Sequence, residues 1–349
     1  MHNFYLFALV LFSLAALTAC FSFDDDDDND SADDDTGSGG DDDDDSGADD
    51  DDDDGPGWHV VNGVTEDDLH GLWGSSETDI FAVGYAGTIL HFDGAEWSVM
   101  KTDENTTLWA VWGLSAGNVY AVGGDNATDA PVVEHYDGST WAAVDTGLAT
   151  PAPLDGVWGS SATDIYASSN GGNSGTGGGL YHFDGAAWSQ MTTLPDNPNT
   201  QSVWGLSASA VFVGGAGSNG SGIWYFDGTT WTNPFNGLAE YINGIWASSE
   251  TDIFGVGGGG QAIHYDGVSW TSMFTDMSGG LCGIWGTGPQ NVYAVGSSPF
   301  VLHYDGESWT PADDPEHGLD SNLWAVWGTS ANNIYAVGDG GTILHFTGE

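Results

Sequence analysis

The sequence predicts an all-β protein assembled from seven copies of one small antiparallel sheet, and three observations carry that prediction. One phrase recurs seven times: Trp-Gly, then Asp-Ile-Tyr-Ala-Val-Gly with variations, then His-Tyr-Asp-Gly, then Trp. Its anchor tryptophans are Trp73, Trp112, Trp158, Trp204, Trp246, Trp285 and Trp327, separated by 39, 46, 46, 42, 39 and 42 residues. Between the anchors lie short apolar runs bounded by Gly and Asp-Gly, with no stretch of helical periodicity. A period of about 42 residues suits a four-stranded repeat unit.

Each element of the unit can be justified in order. In the seventh copy, Leu323 to Trp327, Asn333 to Val337 and Thr342 to Phe346 are the first three strands. Complete copies continue from an Asp-Gly turn such as Asp266-Gly267 into a fourth strand opened by a tryptophan such as Trp270. Asp-Gly between two apolar runs is a strong hairpin signal because both residues tolerate positive φ. The seventh copy ends without its fourth strand, and Asp54-Gly55-Pro56-Gly57-Trp58 near the other terminus supplies the missing spacing. The N-terminal strand is therefore expected to join the three C-terminal strands, which removes the open edges of a linear array. The fold class predicted is a seven-bladed β-propeller of four-stranded antiparallel blades over residues 55–349.

On these residues the chain resembles bacterial seven-bladed β-propeller lipoproteins with kelch-like and Trp-Asp-repeat-like blades. Blade two shows the kelch pattern most fully, with Gly123-Gly124, Tyr136 and Trp141, whereas several blades lack the Gly-Gly pair and have a shorter Tyr-to-Trp interval. The resemblance covers residues 55–349. It implies that the histidine found once in most blades is a packed structural residue.

The N-terminal region is of different composition. Phe4 to Ala19 is an apolar run of signal-peptide length, and Leu17-Thr18-Ala19-Cys20 resembles a lipobox, so residues 1–20 are expected to be a lipoprotein-type signal peptide with lipidation at Cys20. Residues 21–54 form an Asp-rich linker with 20 aspartates between positions 24 and 54 and no apolar residue larger than Ala there, a segment expected to be disordered. Fully extended, it reaches roughly 110–120 Å at most. The expected location is export to the outer membrane with exposure at the cell surface, or secretion.

Charge excludes several functions. The chain has 52 acidic residues against one base, Lys101, for a net charge of −51. Phosphate backbones need cations to neutralise them, so nucleic acid is not an expected partner. Acidic glycans and phosphorylated ligands are excluded on the same ground unless a divalent cation bridges them. A membrane contact is expected only through the lipid anchor, and the propeller is expected to be monomeric. Self-repulsion at this charge makes stability dependent on screening ions.

Candidate site residues separate into regular and irregular sets. His91, His135, His182, His264, His303 and His345 share one repeat position, with Tyr225 substituting in blade four, and are read as blade-packing residues held too far apart to share an ion. The anchor tryptophans are read as wedges between blades, with a channel-mouth ring as the alternative. Asp79, Asp164 and Asp252 recur before the second strand and are read as turn residues. Trp109, Trp224 and Trp324 break the repeat and are candidate binding residues. The connections from strand two to three and from strand four to the next blade vary in length, and variable loops on a rigid scaffold are where binding usually resides. On that face Asp125, Asp129, Asp313, Asp314, Glu316 and Asp320 are candidate metal ligands, and calcium is the ion their oxygens suit.

No nucleophile elbow, zinc-protease motif or phosphate loop occurs, and Cys282, beside Leu281 and Ile284, reads as a small buried residue. The expected function is non-catalytic binding or scaffolding at the cell surface, recognising a protein or neutral polysaccharide through the variable loops with calcium as a candidate aid. The alternative is a glycan-cleaving hydrolase or lyase using loop carboxylates.

Overall fold

The computed structural model describes residues 56–61, 63–149, 152–172, 177–196, 198–238, 240–312 and 321–348. Seven four-stranded antiparallel sheets form, each with its strands in sequential order except the last. Blade one is typical, with strands Leu69–Ser76, Asp79–Gly84, Ile89–Phe92 and Trp97–Lys101 from the inside outward. The first strand of every blade packs on the first strand of the next, and that of blade seven (Leu323–Ser330) returns to that of blade one. The architecture is a seven-bladed β-propeller.

Closure follows the predicted route. Gly57–Val61 is the outermost strand of blade seven and pairs antiparallel with Ile343–Thr347, placing Trp58 opposite Phe346 and Val60 opposite Leu344. Trp58 is buried with its ring centroid 5.3 Å from that of Phe346, so the terminal strand joins the core as well as the ladder. Each Asp-Gly turn is fastened by its own aspartate: Asp93 Oδ1 accepts from the amides of Ala95 and Glu96 at 2.9 and 3.1 Å, and Asp266 does the same for Val268 and Ser269.

The Trp-Gly pair acts between blades. The indole of one anchor lies over the glycine that follows the next anchor: a Cβ placed on Gly113 would stand 2.6 Å from Trp73, and one on Gly205 would stand 2.4 Å from Trp158. Trp327 covers Gly74 in the same way, so the contact passes through the closure. Tryptophan supplies the area and glycine the room, which explains why the two residues travel together. The alternative of an anchor-tryptophan ring at the channel mouth is thereby corrected.

The recurrent histidines lie inside single blades. His91 packs tilted against Phe81 at 4.6 Å and its Nε2 meets Asp79 Oδ1 at 2.8 Å; His264 stacks on Phe254 at 4.0 Å and meets Asp252 at 2.7 Å. In blades two, six and seven the partner is Asn118, Asn291 or Asn333. Asp79, Asp164 and Asp252 thus do more than shape turns, since each also receives the hydroxyl of Ser75, Ser160 or Ser248. Blade four has lost both partners together, with Tyr225 for the histidine and Ala210 for the acid.

The single base is also committed to the scaffold. Lys101 Nζ, on the outer strand of blade one, lies 2.5 Å from Glu134 Oε1 on the third strand of blade two (Pro131–Tyr136). Glu134 is buried, so this cation compensates an internal carboxylate.

Candidate functional site at the channel mouth

Near the start of six of the seven inner strands the ladder to the second strand slips by one residue. In blade one Leu69 pairs with Gly84 and Gly71 with Val83, which leaves His70 between them as a bulge. The same slip isolates Trp109, Gln201, Asn243, Cys282 and Trp324, while in blade three Asp155 precedes Gly156, the first paired residue. A bulge re-aims its side chain out of the alternating pattern. Here the seven side chains line one cavity of about 80 Å³ around the axis. All seven lie three residues before their anchor tryptophan. That is the end of the inner strand reached from the preceding blade's fourth strand, hence the face that carries the variable connections.

The ring has two unlike halves. Blades seven, one and two contribute Trp324, His70 and Trp109; the His70 ring stacks on Trp109 at 4.3 Å and meets Trp324 edge-on at 5.8 Å. His70 donates from Nδ1 to the carbonyl oxygen of Leu108 at 3.1 Å, and burial pushes its pKa down to about 4, so the imidazole is neutral at physiological pH. Trp324 donates its indole N–H to Asp339, whose other oxygen accepts from Asn322 at 2.8 Å, which fixes the plane of the indole.

Blades three, four and five contribute Asp155, Gln201 and Asn243. Asp155 Oδ2 accepts from the Asn170 amide at 2.6 Å, yet burial drives its carboxyl up to about 8 because the bond offsets only part of the desolvation. Gln201 Oε1 is buried without a hydrogen-bond partner. Asn243 donates from Nδ2 to the carbonyl of Leu281 at 2.9 Å. Cys282 completes the ring from blade six; it is half-buried on the channel wall, which corrects its reading as a core residue.

The structure distributes the sequence candidates unevenly. Trp109 and Trp324 come together on this ring, but Trp224 is fully buried and donates to the carbonyl of Pro195 at 2.8 Å, so it belongs to the interior. Asp125 caps its own turn, accepting from the amides of Ala127 and Thr128 and from the Thr128 hydroxyl, and Asp129 occupies positive φ in that turn. Asp313, Asp314, Glu316 and Asp320 lie outside the described residues, as does Cys20. Among the described residues no three His, Cys, Asp or Glu side chains converge as ion ligands. His70, Gln201 and Asn243 escaped motif reading; setting the seven copies in register on their anchors would have exposed them as one column that changes from copy to copy.

Fold and site define the class as a seven-bladed β-propeller with a chemically asymmetric channel mouth. No family model and no curated protein matches the chain in sequence. Solved structures match in fold: YCF48 bound to D1 peptide, with TM-score 0.64 and 15% identity over 84% of this chain and 97% of that one; the WD40 β-propeller domain of Doa1, with TM-score 0.64 and 11% identity over 84% and 98%; and a catalytically inactive virginiamycin B lyase from Staphylococcus aureus with quinupristin, with TM-score 0.67 and 12% identity over 83% and 98%. At these identities the likeness concerns the fold alone.

Proposed function

We propose that this chain is a non-catalytic recognition module that receives a protein partner on the loop-bearing face, centred on the channel-mouth ring. One observation carries the reading. Seven repeats that keep Trp-Gly, the Asp-Gly turn and the histidine pair with few exceptions hold six different residue types at the bulge, on the face where the loops also vary. Packing requires a repeat, whereas a ligand without seven-fold symmetry requires the copies to differ. A structural neighbour bound to a peptide, YCF48 with D1 peptide, supports the reading. A neutral polysaccharide is the second ligand class the face could receive, with calcium as a candidate aid in the acidic loops.

The same proposal places the domain at the cell surface, exported by residues 1–20, anchored through a lipid on Cys20 and held off the membrane by the Asp-rich segment. Conversion of Cys20 to Ala should release the protein from membranes.

A catalytic reading has one observation behind it: Asp155, whose carboxyl burial drives up to about 8, lines the same cavity as His70, whose imidazole burial lowers to about 4, so the ring holds one group suited to donate and one suited to accept a proton. The neighbouring lyase belongs to this alternative, with glycan cleavage as its expected form. Immobilised residues 55–349 probed with peptide and neutral-polysaccharide arrays decide between them. Retention that is lost on substitution of ring residues, without release of cleaved product, supports recognition; turnover abolished by Asp155→Asn supports the enzyme. Retention that ring and loop substitutions leave intact overturns both.

A further inference from the structure

Resting on the recognition reading, we infer that the channel-mouth ring is a receptor for a single cationic side chain, the ammonium group of a lysine on a basic protein partner, seated between the Trp109–His70–Trp324 wall and the oxygens of Asp155 and Gln201. Four observations converge on this chemistry. The cavity of about 80 Å³, at roughly 10–15 Å³ per water-sized group, admits a group of a few heavy atoms and excludes a whole sugar ring. One half of its wall is aromatic, and indoles are the strongest π partners for a cation. The opposite half presents acceptors in want of a donor. Gln201 Oε1 is buried and unpartnered, and such an atom costs free energy until a donor meets it.

Asp155 gives the electrostatic counterpart. It meets one amide, from Asn170, and no nearby charge acts on it. Of the groups around it, His70 across the ring is neutral, Asn170 and Ser168 on the second strand of its own blade (Asp164–Ser169 and the residue after it) are uncharged, and Gln201 of blade four is an amide. The carboxyl therefore lacks the cation that would stabilise its ionised form, and an incoming ammonium would supply it with loss of a proton. The chain cannot provide that cation itself, because Lys101, its single base, is bound to Glu134. Fifty-two acids meanwhile draw a basic partner toward the domain.

Diffuse attraction to a surface of this charge is the effect from which a built site must be separated. The probes are Nα-acetyl-lysine methylamide and its uncharged norleucine and citrulline counterparts, titrated into residues 55–349 by calorimetry at physiological ionic strength. The lysine probe should bind one to one and the uncharged probes at least tenfold more weakly. Trp109→Ala and Gln201→Leu leave net charge unchanged, so diffuse attraction is unaltered, yet each should weaken lysine binding by roughly tenfold. Asp155→Asn should do the same and should abolish proton release on binding, read from the dependence of the heat on buffer ionisation. Melting curves verify that each variant is folded, and should Trp109→Ala fail to fold, Asp155→Asn, which conserves shape, carries the decision. Equal binding of lysine and norleucine probes, or lysine binding untouched by all three substitutions, overturns the inference. A partner captured on the arrays in a ring-dependent way despite that outcome would leave the recognition reading standing.

Discussion

Two positions on the same inner strand, three residues apart, follow opposite rules. The anchor tryptophan is kept in all seven blades, and in five of them its indole lies over the glycine that follows the next anchor, at Gly74, Gly113, Gly205, Gly286 and Gly328. The ring position three residues earlier lies outside the ladder, and although His70 and Asn243 each donate to a carbonyl of the next blade, no single residue type is required there, so it is His, Trp, Asp, Gln, Asn or Cys. Repetition therefore marks the interfaces that close the ring, and its local failure marks the surface that faces a ligand. Blade four teaches the converse: where a packing pair changes, both partners change, as with Tyr225 and Ala210.

The largest test of this contrast is removal of the closing strand. Deleting residues through Gly63 strips Trp58 and the five-residue ladder to Ile343–Thr347 from blade seven. It should cost upward of about 5 kcal/mol, enough to remove most of a domain's stability, and a cooperative melt at the wild-type temperature would break the account of closure. Next comes a direct comparison on one strand. Gly205→Val forces a side chain into Trp158 and should destabilise by about 3 kcal/mol. Gln201→Leu, four residues earlier on that strand, should stay within about 1 kcal/mol in urea unfolding. Equal losses would deny the division of roles.

Lys101→Met leaves Glu134 buried without its cation. Because the lysine is itself partly in solvent, the loss should be about 2–3 kcal/mol, below the range for a fully buried pair. Thermal melts at low and high salt check it, since the loss should persist when surface charge is screened.

Two further effects are linked to pH. His345 pairs with Asn333, and burial, aided by His59, lowers its pKa from 6.5 to about 4. Between these values the unfolded chain binds more protons, so this group's contribution to stability is complete above 6.5 and declines as pH falls toward 4. Asn333→Asp supplies a charge partner and should flatten that decline. Asp155 has the opposite sign: its folded pKa of about 8 exceeds the ordinary 3.8, so its contribution is complete below 3.8 and is lost as pH rises to 8. The stability difference between wild type and Asp155→Asn should therefore shift toward the variant as pH rises across that window, measured by unfolding at fixed ionic strength.

Sequence alone determined the blade count, the strand order and the closing strand, because each blade is built from local hairpins and each hairpin is written in Asp-Gly turns and alternating apolar runs. It also determined that anionic ligands are disfavoured, a matter of counting one base against 52 acids. The channel-mouth ring was decided by tertiary structure. His70, Gln201 and Asn243 look like ordinary strand residues in their own copies, and only the bulge turns each inward while only closure of the ring brings seven blades to one axis. Burial decided the rest. Trp109, Trp224 and Trp324 are equally irregular in sequence, but its own blade and the preceding one enclose Trp224 completely, with Trp158, Tyr166 and Leu180 in its cluster, while the other two are left on the channel, because accessibility depends on residues of other blades.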